Sequence, residues 1–225
     1  MKEITMELKY KLLKKNFKDI LGRRVYQIRA LKDFGDIKKG DLGGWIEKES
    51  NLSQEGNCWV LGDAKVYDDA KVSEDARVSG HACVSDDARV YGNAQVFGTA
   101  QVFGDACVSD DAQVFGNARV FGTAQVFDNA KVSGNAWVHG NARISKSVHI
   151  IKTSDYITIG PIGSRNAFLT IIKKDNYVST GCFSGTKEEF LDQVEKTHGD
   201  NEFAKAYQKA ITYVFGRKPR TPKIK

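Results

Sequence analysis

The chain has 225 residues, of which 41% are hydrophobic, and a formal net charge of +6. No apolar run approaches the roughly 20 residues that span a bilayer, and the first fifteen residues lack the apolar stretch of a signal peptide. These features argue against a helical membrane protein. We therefore expect a cytoplasmic protein of one or two domains with no membrane partner.

Basic residues are concentrated toward the two ends of the chain. Residues 1–50 hold 13 Lys and Arg against 8 Asp and Glu, residues 51–152 hold 9 against 12, and residues 153–225 hold 12 against 8. Basic ends can attract nucleic acid or a phosphorylated small molecule, or can simply be ordinary exposed lysines. No nucleic-acid-binding motif is recognisable, so nucleic acid is not an expected partner. The basic tail Gly216–Lys225 is predicted to be a solvated chain end.

The four cysteines, Cys58, Cys83, Cys107 and Cys182, show none of the short paired spacings of a zinc site. Cys83 and Cys107 are four six-residue repeats apart, so they should fall on different sides of a three-sided coil. We expect unpaired thiols in a reducing compartment, with no metal. No residue pattern indicates a cofactor.

Residues 1–56 are predicted to form an N-terminal β cap. The segment Val25–Phe34 alternates like a strand, Gly35–Asp41 has the composition of a turn, and Leu42–Ile46 leads into the first coil. An open end of a coiled sheet exposes strand edges and apolar core, so it needs a cover. Trp45 and Trp59 are placed to provide it.

Residues 57–152 repeat a six-residue unit sixteen times without insertion or deletion. The unit runs small polar, Ala, polar, Val, variable, Gly or Asp, as in NAQVFG (93–98) and DAQVFG (111–116). Ala and Val are two residues apart, so they point to one side of a strand and the polar residue between them to the other. Strand and corner repeating every six residues predict a three-sided prism of a little over five coils with a dry Ala/Val interior.

This pattern resembles the hexapeptide-repeat proteins, in which an aliphatic residue is followed four positions later by a small one, as Val96 is by Ala100. The resemblance implies a left-handed parallel β-helix. Residues 30–60 also resemble the N-terminus of bacterial and phage members that are labelled uncharacterised, acyltransferase or polymer-forming. The predicted fold class is therefore mainly β: a left-handed parallel β-helix with an N-terminal β cap and a small C-terminal α+β domain.

The fifth position of each hexad should point outward, and it repeatedly holds an aromatic residue. Residues eighteen apart should stack on one side, which pairs Phe97 with Phe115 and Phe103 with Phe121. Exposed apolar ladders usually mark an interface, although the rings could instead fold over the corners of their own coil. We predict a homo-oligomer, a trimer or a dimer, whose interface uses Tyr91, Phe97, Phe103, Phe115, Phe121 and Phe127.

Many hexapeptide-repeat proteins are acyltransferases that use a coenzyme A thioester and a catalytic histidine near a projecting loop. Here three of the four histidines replace ordinary repeat residues, and the repeat has no inserted loop to carry one. His139, near Trp137, would be the general base if the resemblance extended to activity. The unbroken repeat favours no catalytic residues in the coil.

Residues 153–225 are predicted to form an α+β domain that is a candidate for ligand binding. In Asp155–Gly185, apolar and polar residues alternate in runs that are separated by turn signals, which suggests three short strands. Thr186 with Glu189 forms a capping box that opens a helix through His198. Asp200 is the predicted cap of a second helix over residues 201–215.

The segment GPIGSR (160–165) is the best candidate for chemistry. Gly160 and Gly163 would let backbone N–H groups approach an anion, and Ser164 could donate a further hydrogen bond. Arg165 could donate two parallel hydrogen bonds to a phosphate or a carboxylate. A second glycine-flanked turn, with Gly181 and Cys182, leads into a helix N-terminus, where anions are favoured. The alternative is a tight loop with a surface arginine.

These observations predict a non-catalytic, self-associating β-helix protein whose C-terminal domain binds an anionic, nucleotide-like ligand. The resemblance to phage proteins implies one biological role, the sequestration of a host signalling nucleotide. The alternatives are a coenzyme A-dependent acyltransferase and a purely structural, polymer-forming protein.

Overall fold

The computed structural model describes residues 7–216, so all but the first residue of the basic tail predicted at 216–225 lies outside the described residues. The chain divides into two compact units. One runs to Gly140 and includes Ser145–Thr153, and the other comprises Asn141–Ile144 and the chain from Ser154 onward. The first contains a parallel β-solenoid, and the second contains an antiparallel sheet with two helices, which confirms the predicted mainly β architecture.

The chain begins with an antiparallel hairpin that precedes the repeat. Strand β1 (Tyr10–Ile20) pairs with β2 (Arg23–Ala30), and β2 pairs with β3 (Leu42–Ile46). The turn between β1 and β2 uses Leu21 and Gly22, both with positive φ, as a tight two-residue hairpin requires. The sequence prediction placed a strand at Val25–Phe34 but missed β1, because Lys11, Lys14, Lys15 and Lys18 obscure its alternation.

Two-residue strands form the three sides of the solenoid, and successive strands lie on successive sides. The first side contains β4 (Trp59–Val60), β7 (Arg77–Val78), β10 (Gln95–Val96), β13 (Gln113–Val114), β16 (Lys131–Val132) and β19 (His149–Ile150). The second side contains β5 (Lys65–Val66), β8 (Cys83–Val84), β11 (Gln101–Val102), β14 (Arg119–Val120) and β17 (Trp137–Val138). The third side contains β6 (Lys71–Val72), β9 (Arg89–Val90), β12 (Cys107–Val108) and β15 (Gln125–Val126). A further repeat strand, β18 (Arg143–Ile144), is grouped with the second unit.

Each strand pairs in parallel with the strand eighteen residues away, for example Val96 with Val114. The Ala and Val positions from Val60 to Val138 are at most 1% exposed, so the interior is the dry Ala/Val column that the repeat predicts. Burying one Val contributes about 1.5–3 kcal/mol, and these contributions accumulate along the stack.

The solenoid begins one coil before the recognisable repeat. Strand β3 pairs in parallel with β5, and Leu52 forms a parallel bridge with Val72, so residues 42–56 already occupy solenoid sides. The solenoid therefore has about six turns rather than a little over five. The sequence of this first coil departs from the hexad because the N-terminal hairpin covers it. Trp45 and Trp59 are both buried there, as predicted.

The sixth position of the hexad turns the corner with a positive φ in the first fifteen repeats, whether it is glycine or not. Gly98 has φ 73° and Asp110 has φ 56°. At Asp110 the carboxylate accepts a hydrogen bond from the backbone N–H of Asp128, one coil further along, at 3.2 Å. Glycine avoids the strain of this conformation, whereas Asp offsets it with an added hydrogen bond, which explains why both residues occur at this position.

Gly56 offers a test of how tightly the first coil packs. Its φ is +65°, and a Cβ there would lie 2.2 Å from the carbonyl oxygen of Glu74. We expect Gly56→Ala to lower the free energy of unfolding by about 2–4 kcal/mol, from left-handed strain and overpacking. The measurement is the midpoint of thermal or urea unfolding.

Gly62 is the matched control. Its φ is +63°, but a Cβ added there would lie 3.5 Å from the nearest atom, the carbonyl oxygen of Gly80. Gly62→Ala should cost only the backbone strain, about 1–2 kcal/mol. Equal losses in the two variants would contradict the close approach at Gly56.

The second unit contains four antiparallel strands and two helices. The strands are β20 (Ile157–Ile162), β21 (Ala167–Ile172), β22 (Tyr177–Thr180) and β23 (Phe183–Thr186), paired in chain order. The helices are α1 (Lys187–His198) and α2 (Glu202–Phe215). Their apolar faces pack on the sheet around a core that contains Leu169, Ile171, Val178, Phe190, Tyr207 and Ile211.

Two details of this unit differ from the sequence prediction. There are four strands instead of three, because Tyr177–Thr180 and Phe183–Thr186 form a hairpin of their own. The cap of α2 is Asn201 rather than Asp200: its side-chain oxygen accepts from the N–H groups of Phe203 and Ala204 at 2.9 and 3.1 Å. The capping box at Thr186 and Glu189 is confirmed.

Candidate functional site

Two turns of the second unit meet one face of α1 around a cavity of about 150 Å³. Ser164 and Arg165 come from the β20–β21 turn, and Gly181 and Cys182 from the β22–β23 turn. Four of the six residues that the sequence predicted as ligand-binding therefore lie together. The other lining residues are Ala167, Thr180, Phe183, Phe190, Gln193, Val194, Thr197, His198 and Tyr207.

Arg165 supplies a positive charge to the cavity. Its side chain is exposed, and its Nη1 donates a hydrogen bond to the Cys182 Sγ at 3.5 Å. None of the salt bridges found within residues 7–216 involves Arg165. The guanidinium can therefore accept an anionic partner without first breaking an ion pair.

The opposite wall of the cavity is aromatic. Phe190 contacts Tyr207 edge to face, with ring centroids 5.3 Å apart, and Phe183 lies 5.4 Å from Phe190. Burial raises the pKa of the Tyr207 hydroxyl, and the Arg165 charge partly offsets that rise. The hydroxyl therefore stays protonated and can donate a hydrogen bond at neutral pH.

Thr180 adds a polar atom that lacks a partner. The residue ends β22 and lines the cavity, and its Oγ1 is buried with no hydrogen-bond partner among the described residues. A buried hydroxyl without a partner costs about 1–3 kcal/mol.

Gly160 and Gly163 do not line the cavity, although the sequence placed them in an anion-binding loop. Gly160 lies within β20, where a Cβ would meet the carbonyl oxygen of Ala167 at 2.9 Å. A Cβ on Gly163 would lie 1.9 Å from the Tyr207 hydroxyl oxygen. Both glycines make room for neighbouring chain, and Gly163 lets Tyr207 reach the cavity wall.

The helix N-terminus also takes no part in the cavity. The lining residues of α1 run from Phe190 to His198, which is the middle and C-terminal end of the helix. The C-terminal end of a helix carries partial negative charge, so the dipole does not favour an anion here. Attraction for an anion must come from the Arg165 side chain.

The cavity residues on α1 were missed, although the sequence contains a signal for them. Phe190 and Val194 were predicted to be core, and they are buried. Gln193 and Thr197 share that helical face at spacings of three and four residues, and both are polar. Polar residues that interrupt an apolar helical stripe were the available indication of a lined cavity.

The aromatic residues of the solenoid form the two predicted stacks. The Phe97 ladder consists of Phe97 and Phe115, with ring centroids 4.9 Å apart and planes within 1°. The Phe103 ladder consists of Phe103, Phe121 and His139. The ring centroids of Phe103 and Phe121 are 4.9 Å apart, and their planes are within 2° of parallel. The His139 ring continues the stack, with its centroid 5.2 Å from that of Phe121. The four phenylalanines are half-buried, and they lie on the first and second sides.

Tyr91 and Phe127 follow strands of the third side instead. Ser109 lies between them, so they form no continuous ladder. Any surface built from stacked rings therefore comprises the first and second sides.

Trp137 extends the aromatic surface of the second side. It is 45% exposed, its ring lies edge-on to Phe121 at 6.2 Å, and the Arg119 guanidinium lies 5.1 Å from its ring centroid. On the first side, His149 lies 6.1 Å from Phe115, and its Nε2 is 2.7 Å from the Ser133 Oγ. The histidines of the repeat therefore belong to the outward-facing columns.

All four cysteines are free thiols. Cys83 and Cys107 lie on the second and third sides, as predicted. Within residues 7–216, no group of three His, Cys, Asp or Glu side chains is arranged to hold a metal ion. No helix in the described part of the chain is long and apolar enough to cross a bilayer.

Comparison with known proteins supports the repeat architecture. Residues 124–140 match the family model described as the YdcK beta solenoid repeat. The solenoid is of the hexapeptide-repeat type. A 34-residue segment is 56% identical to a protein of Escherichia coli (strain K12) named "Uncharacterized acetyltransferase YdcK". That segment is 15% of this chain and spans 10% of the E. coli protein, so the similarity covers only a short part of either chain.

Proposed function

We propose that this protein is a non-catalytic binding protein. Its C-terminal unit binds a small phosphorylated ligand of the nucleotide class, and its solenoid associates with further copies of itself. The observation that carries the ligand proposal is Arg165, an exposed guanidinium that lines the cavity and forms no salt bridge within residues 7–216.

The size of the cavity limits which part of the ligand it encloses. Pockets that enclose a whole drug-sized ligand measure about 300–1,000 Å³, and this cavity has about 150 Å³. A phosphate group and a small adjoining part of the ligand fit that volume. The remainder of a nucleotide would extend past the Gly181–Cys182 turn into solvent. Such a partly enclosed ligand suits sequestration rather than chemistry, because water is not excluded from it.

The test is calorimetric titration with nucleoside mono-, di- and triphosphates, inorganic phosphate and acetyl-coenzyme A. We expect a nucleotide to bind and to raise the midpoint of thermal unfolding, since a ligand specific to the native state stabilises it. Arg165→Ala should weaken binding about 10- to 100-fold, because a hydrogen bond to a charged group contributes about 1.5–3 kcal/mol.

Arg89→Ala is the matched control, since it removes the same charge from an exposed position of the solenoid. It should leave the affinity unchanged. Equal weakening by both variants would indicate nonspecific attraction to a basic protein. No heat with any phosphorylated compound would contradict the ligand proposal.

An acyltransferase is the second candidate, favoured by the name of the E. coli relative and by the position of His139. The matched residues 124–140 include His139 and Trp137, which adjoin Phe121 on the second side. If this candidate were right, acetyl-coenzyme A would bind and be turned over, and His139→Ala would abolish turnover with binding retained. That result would replace the non-catalytic proposal.

A further inference from the structure

The N-terminal hairpin places a buried lysine against a buried cysteine of the first coil. Lys9 is 1% exposed, and its Nζ lies 3.2 Å from the Sγ of Cys58, which is fully buried. Cys58 occupies the hexad position that holds Ala in the following coils. The Nζ also lies 3.1, 3.3 and 3.1 Å from the backbone carbonyl oxygens of Glu55, Gly56 and Cys58.

Burial favours the uncharged form of both groups. It lowers the pKa of the Lys9 amine and raises the pKa of the Cys58 thiol, while the attraction between the two groups opposes both changes. A neutral amine has two N–H donors and one lone pair, so it can satisfy only two of its four neighbouring acceptors. The lone pair can then be directed at the sulfur, and in this form an amine is a nucleophile.

A small oxidant has space beside Lys9, whereas Cys58 does not line that space and is reached only past the Lys9 side chain. A cavity of about 310 Å³ borders Lys9, with Lys32, Phe34 and Gln54 among its lining residues. This volume is several times that of a water molecule, which is about 30 Å³ in the liquid, and hydrogen peroxide is only slightly larger than water. The protonated thiol should react slowly, because the thiolate is the reactive form. Once it is oxidised, however, the neighbouring amine is already in contact.

We propose that Lys9 and Cys58 form a covalent nitrogen–sulfur cross-link when the protein is exposed to hydrogen peroxide. In the first step the sulfur attacks one peroxide oxygen. An S–O bond forms, the O–O bond breaks, and the departing hydroxide takes the thiol proton to give water and a sulfenic acid. In the second step the Lys9 lone pair attacks that sulfur. The N–S bond forms, the S–O bond breaks, and the hydroxide leaves with one amine proton as water.

One peroxide is consumed, two water molecules are released, and the protein loses two hydrogen atoms. The product joins the chain just before β1 to the first hexad of the repeat, residues 57–62. The pair is held in contact before the reaction, so condensation should compete well with further oxidation of the sulfur. The cross-link would fix the N-terminal hairpin covalently over the open end of the solenoid.

The test is peptide mass mapping of the full-length protein after peroxide treatment, without reductant. Cleavage after glutamate separates Lys9, in residues 8–47, from Cys58, in residues 56–74. We expect these peptides to appear joined, with a mass equal to their sum less two hydrogen atoms, and to separate after dithiothreitol. The midpoint of thermal unfolding should rise when the cross-link forms and should return to that of the untreated protein after reduction.

Cys182 is exposed and serves as the internal control for oxidation. Lys9→Arg places a guanidinium, which stays protonated and is not a nucleophile, beside the sulfur and should abolish the joined peptides. If Cys182 is oxidised in the wild-type protein while the two peptides remain separate, the proposal is wrong. A joined peptide that retains one added oxygen would overturn the direct N–S bond and indicate an N–O–S bridge.

Discussion

Replacing Gly163 by alanine is expected to destabilise the C-terminal unit by about 2–4 kcal/mol and to abolish ligand binding there. The new Cβ would lie 1.9 Å from the Tyr207 hydroxyl oxygen and 2.2 Å from the adjoining ring carbon, and φ at this position is +75°. Tyr207 cannot simply turn away, because its ring is buried against Phe190 in the core. The destabilisation from overpacking therefore adds to the destabilisation from the left-handed backbone conformation.

The loss of binding follows from the same collision. Tyr207 forms part of the cavity wall, so displacing it changes the cavity beside Arg165. The measurements are urea unfolding and calorimetric titration with the nucleotide that the wild type binds. Because unfolding alone could remove binding, the titration belongs at a temperature where circular dichroism shows the variant to be folded.

Gly181→Ala is the matched control on the opposite turn of the same cavity. Its φ is +53°, but no atom lies within 4 Å of the Cβ that it would add. We expect a loss of about 1–2 kcal/mol from backbone strain and an affinity within a few fold of wild type. If Gly163→Ala were as stable as Gly181→Ala, the close approach of Tyr207 would be refuted.

The double variant Phe97→Ser with Phe115→Ser is expected to abolish self-association while leaving the solenoid folded. Each ring stacks on the other and is half-buried in the single chain, so a partner copy could cover the rest. Aromatic residues at the centre of an interface contribute about 2 kcal/mol or more each, so losing two should weaken assembly by at least about 100-fold. Sedimentation velocity over a concentration series measures this directly.

Serine is a conservative choice at these positions because the repeat already uses it there. Ser79 and Ser133 precede and follow the Phe97 ladder on the same side. The coil therefore tolerates serine, and its unfolding midpoint should change little. A double variant that assembles like the wild type would exclude this ladder from the interface.

The third side provides the control for the self-association experiment. Tyr91→Ser with Phe127→Ser removes two aromatic rings that do not stack on each other, because Ser109 separates them. We expect this variant to assemble normally. Loss of assembly in both double variants would instead indicate an interface that also uses the third side of the solenoid.

The solenoid could be predicted in detail because its tertiary contacts repeat in the sequence. Phe97 and Phe115 touch because they are eighteen residues apart, and the same spacing sets the contact of Phe103 with Phe121. The first coil was missed for the same reason: residues 42–56 pack as a coil without the hexad pattern, because the N-terminal hairpin supplies part of their surroundings.

The candidate ligand site could be predicted only in part. Arg165 and Cys182 were selected for their local chemistry, and the two turns do bring them into contact across 17 residues of chain. Gly160 and Gly163 do not line the cavity, and each is packed closely against a neighbouring part of the chain. Local sequence indicates that a backbone position needs glycine, but it does not reveal which neighbour requires the space.

The sequence by itself determined the three-sided solenoid, its Ala and Val interior and the stacked aromatic columns, because in a repeat each contact recurs at one fixed spacing. Only the tertiary structure decided where the two β-turns meet α1, and that Lys9 lies against Cys58. These contacts join segments that share no repeat and lie 17 to 49 residues apart. Their geometry depends on how whole elements pack, which no local pattern encodes.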